Sequence, residues 1–458
     1  DLSLLEENVQ SKSYELEGLD YSTTYYWKVV AKDGKGGIAE SPVWNFTTRN
    51  IQVVWQRVLG GNNRDLGYSV QTVDGGYVVA GVTWSRYLGP RGTIRTHGHS
   101  DIWILKLDED GTVIWQKAIG GRLYDQVRSV QVTNAGGYLI AGWTNSNDGD
   151  VSGNPQGLDG WLLKLEDLGD DATITWEELI ENSQESEYFE NEDAIISAQQ
   201  TEDGGYILAG ITWKKNNYNR LPSDGWVVKL DNEGTVVWQS VIGGSNDDRF
   251  NSIQQTEDGG YIAAGYSSSK SGDFSGNHGG QDFWVVKLDE SGTVTWQRLI
   301  GWGNDDVAES IQQTDDGGYI VAGYTTSSSG ERDVLIVKFT ENGDVVWEKV
   351  IGGSGNDCAC SMQKTSDGGY VIGGYTSSSE YGSRGGNDLL IMKIDEDGNI
   401  KWMKTFGGGG DDGIWSISES NYGGYIMVGS TGLNGGYVPG GGGDRNHGGY
   451  DLWVVRMK

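Results

Sequence analysis

The chain has 458 residues, 36% of them apolar, which suffices for a sizeable core, and no run approaches the roughly 18 uninterrupted apolar residues of a membrane-crossing helix. Its 65 acidic residues against 34 basic ones give a formal net charge of −31, which repels nucleic acid and anionic lipid and argues against both as partners. Glycine at 74 residues, with 5 prolines, 19 tryptophans and 23 tyrosines, points to tight turns joining aromatic-rich strands rather than to helices or disorder.

Residues 1 to 49 follow a different rule from the rest. The stretch "YELEGLDYSTTYYWKVVAKDGKGGIAESPVWNFTT" contains three β-rich runs, about 12 to 18, 24 to 32 and 42 to 48, separated by turn-formers. Leu19, Thr23, Tyr25, Val29 and Ala31 give this segment a pattern that resembles the second half of a fibronectin type III domain. The resemblance implies a structural corner tyrosine at Tyr25, and a modular protein that is extracellular or on the cell surface. Half a sandwich would leave a core face and a sheet edge open to water. With Asp1 neither a start methionine nor part of a signal peptide, the expectation is a piece of a longer polypeptide with further domains before residue 1.

From Ile51 onward one unit repeats with a period of roughly 50 to 60 residues, the signature of a propeller or array. Its marker is "DGGYIVAG" at 316 to 323, which returns as "DGGYVVAG" (74 to 81), "AGGYLIAG" (135 to 142), "DGGYILAG" (203 to 210), "DGGYIAAG" (258 to 265), "DGGYVIGG" (367 to 374) and "YGGYIMVG" (422 to 429). One copy shows the four strands of a unit: "NSIQQT" (251 to 256), "GGYIAAGYS" (259 to 267), "DFWVVKLD" (282 to 289) and "GTVTWQRLI" (292 to 300), with short glycine-bearing hairpins between them. The expected fold is therefore all-β, a seven-bladed β-propeller of four-stranded antiparallel blades over 51–458.

Tryptophans support the count. Trp55, Trp115, Trp176, Trp238, Trp296, Trp347 and Trp402 fall in the fourth strand, and Trp103, Trp161, Trp226, Trp284 and Trp453 in the third, where they are expected to pack blade against blade. The chain stops on a third strand, "YDLWVVRMK", while residues 51 to 58, "IQVVWQRV", read as a fourth strand without the first three. That strand is expected to complete the last blade and close the ring. The repeats resemble those of secreted or surface propellers of bacteria and archaea carrying "DGGYIVAG" and "DxWVVKLDxxGxxxW" motifs; the resemblance implies the fold and little about function.

Comparing the units separates what builds every blade from what is special to one. An aspartate precedes each first-strand serine (Asp65, Asp125, Asp193, Asp248, Asp306, Asp357, Asp412), and another opens each third strand (Asp101, Asp159, Asp224, Asp282, Asp333, Asp388, Asp451). The plain account is that these carboxylates accept backbone N–H bonds in glycine-rich loops; the sharper one makes some of them calcium ligands. "NSNDGDVSGNPQGLDG" (145 to 160), with Asp148 and Asp150, is the best local calcium candidate, and His97 with His99 forms an H-x-H pair without an identifiable third ligand. A basic residue in each third strand, Lys106 to Arg456, is expected to pair with acidic neighbours. Cys358 and Cys360, the only cysteines, are expected to stay unbridged.

Off-pattern aromatics are the candidates for binding. Trp84, Trp213 and Trp302 replace small loop residues, and Trp415 stands directly before a first-strand serine, with Tyr68 at the same place in the adjoining unit. Such rings beside acidic and amide groups are equipment for stacking on sugars. Arg95, in the long basic loop 84 to 101, adds an anion or glycan contact. The expected function is a non-catalytic binding, adhesion or scaffold module for a glycan or a surface protein. The alternative left open is a polysaccharide-active enzyme, a glycoside hydrolase or lyase; abundant acids prevent the choice of a catalytic pair from sequence.

Overall fold

The computed structural model describes residues 24–32, 35, 37–47, 51–89, 94–153, 157–182, 190–215, 220–270, 276–432 and 448–458. At the N-terminal end, β1 (Thr24–Trp27) pairs antiparallel with β4 (Trp44–Thr47), and β2 (Val30–Lys32) with β3 (Ile38–Glu40). The Trp27 and Trp44 rings meet at 4.8 Å. The run expected over 24 to 32 is thus two strands, and β3 was not foreseen. The first run, 12 to 18, with Leu19, Thr23 and the Tyr25 side chain, lies outside the described residues.

Beyond them stand seven four-stranded antiparallel sheets, the blades of a propeller. Blade 1 holds Asp65–Val73, Gly76–Thr83, Asp101–Asp108 and Val113–Ile119 in that spatial order, and blades 2 to 6 repeat the arrangement. In blade 7 the first three strands are Asp412–Glu419, Tyr425–Thr431 and Asp451–Met457. Its fourth is β5 (Val53–Leu59), which pairs with the last strand from Leu452↔Leu59 to Met457↔Val53. The ring closes through residues nearly the whole chain apart, as expected from the unpaired ends of the pattern. Closure removes the exposed edge that an open array would carry.

The first strand of each blade touches the first strand of the next all the way round, so these seven strands form the inner wall. Their repeated serines stitch it: the Ser69 hydroxyl accepts the Val130 N–H at 3.1 Å, Ser252 that of Ile311 at 3.3 Å, Ser310 that of Met362 at 3.2 Å and Ser416 that of Val70 at 3.2 Å. Innermost-strand N–H groups that would otherwise face the axis unpaired are satisfied by the neighbouring blade.

Aromatics couple the blades further out. The Trp55 indole donates to the Glu109 carbonyl of the next blade at 2.8 Å and lies edge-on to Tyr77, the tyrosine of the DGGY motif, at 5.8 Å. Trp238 with Glu290 and Tyr261, and Trp296 with Glu341 and Tyr319, repeat this one blade on. Gly111, at φ +77°, lies flat on the Trp55 ring, where a Cβ would come within 2.7 Å; the KLDxxG hairpin needs its glycine for both reasons. Third-strand indoles are fully buried, and those of Trp103, Trp226, Trp284 and Trp453 donate to a glutamine of the fourth strand in the same blade, as Trp284 does to Gln297 at 2.9 Å.

Five of the third-strand lysines pair with an acid, Lys106 with Asp167 and the other four with the aspartate of DGGY. Lys229 meets Asp203, Lys287 meets Asp258, Lys338 meets Asp316 and Lys393 meets Asp367, all within 2.8 to 2.9 Å. The Lys338 ammonium and the Thr314 hydroxyl hold Asp316 down at about 2.

Ring closure generates a direct test. A chain lacking residues 1–59 is expected to unfold at a midpoint lower by on the order of 10 °C and to lose amide protection in blade 7, whereas removal of 1–50 leaves both unchanged by calorimetry and hydrogen exchange.

Candidate binding site

Every innermost strand carries one residue too many. Pairing with the second strand slips between Gly67 and Ser69, Val127 and Ser129, Ile195 and Ser197, Phe250 and Ser252, Ala308 and Ser310, Ala359 and Ser361, and Ile414 and Ser416. The residue left out is Tyr68, Arg128, Ile196, Asn251, Glu309, Cys360 or Trp415, a different amino acid in each of the seven blades. The slip is written in the core pattern. Val127 and Val130, Phe250 and Ile253, or Ala308 and Ile311 enter the same cluster three residues apart, an odd step that a regular strand of period two cannot make.

The closing glycine of "DGGYIVAG" permits this bulge. A Cβ on Gly323 would lie 2.0 Å from the Val307 carbonyl oxygen, and the six equivalents, from Gly81 against Leu66 to Gly429 against Gly413, would meet the same carbonyl at 1.8 to 2.3 Å. No side chain fits between the strands there, so only glycine lets the innermost strand buckle toward the axis.

The bulge residues line one cavity of about 580 Å³ to which all seven blades contribute, so it lies on the ring axis. Leu66, Arg249, Cys358 and Gly413, each directly after the repeated aspartate, line it too, together with Tyr324, Arg332 and Tyr375 from second and third strands and Tyr450 just before the last strand. Arg64 and Asp411 precede the strands and sit toward the loop-bearing face, and Tyr68 and Trp415 lie four residues further along, about 13 Å at strand rise. The cavity is a funnel open to that face.

Its chemistry differs from that of the acidic exterior. The Arg128 guanidinium sits over the Tyr68 ring at 4.2 Å and Arg332 over Tyr324 at 4.3 Å, and Arg332 donates to the Tyr375 hydroxyl at 3.1 Å. The Nε atoms of Arg128 and Arg249 are buried without a hydrogen-bond partner. Glu309 is the single acid among the seven bulge residues. Burial pushes its carboxyl up to about 7, while the Arg249, Arg332 and Arg128 guanidiniums pull it the other way. Trp415 stands edge-on to Tyr375 at 6.3 Å and is 38% exposed. Cys358 and Cys360 are free thiols with Sγ atoms 3.7 Å apart, brought together by the bulge at Cys360.

Of the residues singled out from sequence, the structure brings Tyr68 and Trp415 into the funnel and places Trp84 at its rim, under Arg64 at 5.4 Å, which in turn lies over Tyr450 at 5.6 Å. Trp302, 46% exposed, lines a separate cleft with Asn304, Thr326 and Ser327. Trp213 lies in the second strand of blade 3, paired with Glu192 and Ser223. Arg95 is exposed on a two-residue strand, paired antiparallel with Tyr87.

The metal candidates divide likewise. His97 Nδ1 lies 3.9 Å from Asp150 and 3.8 Å from Asp101, Asp148 pairs with Arg122 at 2.9 Å, and His99 turns away to stack on Tyr124 at 5.0 Å. Among the described residues no group of three or more His, Cys, Asp or Glu side chains is placed to hold a metal ion. The repeated aspartates are engaged with backbone: Asp65 accepts the Gly61 N–H at 2.7 Å, Asp248 that of Gly244 at 2.7 Å, Asp306 that of Trp302 at 2.8 Å, and Asp282 that of His278 at 2.9 Å.

No family model matches the chain, and no curated protein does. Similar solved structures include Sqt1 from Chaetomium thermophilum (TM-score 0.46, 11% identity, covering 89% of this chain and 99% of that one) and the Pan2 WD40 domain of Neurospora crassa (TM-score 0.46, 9% identity, 89% and 96%). A puromycin hydrolase is also similar, at TM-score 0.42 and 13% identity, over 80% of this chain and 50% of that one. At such identities these likenesses concern the fold and carry nothing about the funnel.

Two outcomes follow from the bulge and its acid. Gly323→Ala is expected to cost at least about 2 kcal/mol in urea unfolding, because a methyl group cannot share the space of the Val307 carbonyl. For Glu309, a carboxyl raised in the folded state contributes stability that is present below its ordinary value of 4.5 and lost as pH rises through about 7. Glu309→Gln is therefore expected to gain stability relative to the parent between pH 5 and pH 8, by up to about 3 kcal/mol, read from paired denaturation curves.

Proposed function

We propose that the chain is a non-catalytic binding module that receives a glycan in the axial funnel and serves as an adhesion or scaffold element outside the cell or at its surface. One observation carries the reading. Seven blades repeat the residues that build the frame and all differ at two positions of the innermost strand, the bulge residue and the one directly after the aspartate, and these two positions supply eleven of the residues that line the funnel. A position free to vary on an otherwise repeated wall is where recognition of a particular ligand can be written.

The wall supports a sugar. Tyr68 and Trp415 offer apolar faces, and Asn251, Tyr375 and the arginines offer polar groups within one concave space. The same reading takes residues 1–49 as part of a fibronectin type III module of a longer surface polypeptide, supported by the antiparallel pairing of β1 with β4 and β2 with β3.

A second reading has one observation in its favour. A carboxyl held up to about 7, as that of Glu309 is, stays protonated near neutrality, the state of a general acid in a polysaccharide-active enzyme. Paired-carboxylate chemistry requires a second acid across the scissile bond. Of the other acids in the wall, Asp412 is engaged with the Gly408 N–H at 2.9 Å and Asp411 with the Tyr450 hydroxyl at 3.1 Å, which favours binding over cleavage.

A glycan array followed by a reducing-end assay separates the two readings. Binding without new ends is the expected result, and new ends that vanish in Glu309→Gln would establish the enzyme instead. Trp84→Ala combined with Trp415→Ala is expected to weaken binding about tenfold or more with an unchanged melting midpoint. Unchanged affinity would remove the aromatic wall from the site.

A further inference from the structure

We propose that the funnel selects an acidic sugar, one whose ring-borne carboxylate or sulfate is held by Arg128, Arg249 and Arg332 while the ring stacks on Tyr68 or Trp415. The inference rests on the binding-module reading and adds the charge of the ligand to it.

Three guanidiniums from three blades, Arg128, Arg249 and Arg332, line the cavity with Glu309 and attract its carboxylate at a distance, so the deep funnel carries an excess of positive charge in a chain of net charge −31. Clustering like charges in a confined space is unfavourable, and water reaching the funnel relieves only part of it. A neutral sugar uses guanidinium N–H groups as donors but leaves their net charge uncompensated, whereas an anion answers both. An arginine fork is matched in geometry by a carboxylate or sulfate, which can accept two parallel N–H bonds.

The guanidiniums are also presented for a ligand. Arg128 and Arg332 are held flat on tyrosine rings, and the buried Nε atoms of Arg128 and Arg249 have no acceptor. Stacking fixes each plane, with Arg332 committing one N–H to the Tyr375 hydroxyl and keeping its others, so little rotamer freedom is lost when an anion arrives. Glu309 is the acid on which all three act, and it makes no direct ion pair with any of them among the described residues, while Asp411 and Asp412, also in the wall, are engaged with the Tyr450 hydroxyl and the Gly408 N–H.

Glu309 then tunes the site. The groups that act on or respond to it are Arg249, Arg332 and Arg128, with Tyr266, Tyr324 and Cys360, which its charge pushes further toward their neutral forms. When Glu309 takes up a proton, its competition for the arginines ends and an incoming anion meets a full triple positive charge. A sugar carboxylate or sulfate is itself ionised throughout pH 5 to 8, so binding is expected to tighten as pH falls and to take up a proton.

The test is calorimetric titration of the full chain at fixed ionic strength with four probes: a galacturonic acid tetrasaccharide, its carboxyl-reduced neutral counterpart, a sulfated neutral tetrasaccharide and inorganic phosphate. One or both acidic sugars are expected to bind at least tenfold more tightly than the neutral one, by an amount that shrinks at least tenfold in Arg249→Met. Affinity is expected to rise severalfold from pH 8 to pH 6, and Glu309→Gln to flatten that rise. If Arg249→Met misfolds, the charge-balanced pair Arg249→Met with Glu309→Gln tests the same loss of preference.

Equal affinity for the neutral and acidic sugars overturns this inference and leaves the binding module standing. Phosphate bound as tightly as either acidic sugar overturns the assignment of a sugar. Failure of all four probes overturns both, and cleavage of the acidic probe replaces the module by an enzyme while keeping the charge of its ligand.

Discussion

The structure depends on a carbonyl seated against a glycine. Where the second strand of each blade ends its repeated motif, the backbone oxygen of the first strand lies so close that a single methyl group would displace it. That contact lets the innermost strand take in an extra residue and bend, and seven such bends around one axis convert a closed wall into a lined funnel. The frame around it is redundant by design: serine hydroxyls tie neighbouring inner strands, indoles bridge to the next hairpin, and lysines anchor the turn aspartates. Each blade can therefore hold its bend rigidly, and a rigid bend is what a binding side chain needs beneath it.

Much of the architecture was legible in the amino-acid order. The blade count, the four strands of a unit, the two tryptophan positions and closure by the N-terminal strand follow from repetition, since each copy of "DGGYIVAG" reports on the same local packing. The site was legible only in part. Trp415 and Tyr68 attract notice because aromatic rings are conspicuous, whereas Arg128, Asn251, Glu309 and Cys360 are ordinary residues in an amphipathic strand. Two signals were present. No two units agree at the residue before each first-strand serine, nor at the residue after the aspartate, and the core residues flanking the former are separated by an odd number of steps. The second signal reveals a bulge, and a period-two reading of strands discards it as noise.

What sequence could not supply is convergence. Arg128, Arg249 and Arg332 are separated by more than a hundred residues from first to third, and only ring closure puts them around one acid. Conversely, Trp213, Trp302 and Arg95 share a chemical character with the funnel residues but stand on other parts of the blades, because a propeller separates its axis from its outer loops by the width of a sheet. The interior positive charge and the exterior negative charge can coexist for a related reason. In physiological salt the field of a surface carboxylate fades within about 8 Å, so an anion inside the funnel is governed by the groups that touch it.

Ring closure also sets how the molecule bears load. The closing strand runs antiparallel to the final one, so Gln52 and Lys458 face each other, joined by backbone hydrogen bonds of 3.0 and 2.9 Å. Tension applied across those two points would fall on one rung of the ladder at a time, in the manner of a zipper opened from its end. Tension drawn along the closing strand toward Leu59 would load every rung together, in shear. A single seam thus makes the same propeller yielding in one pulling direction and resistant in another.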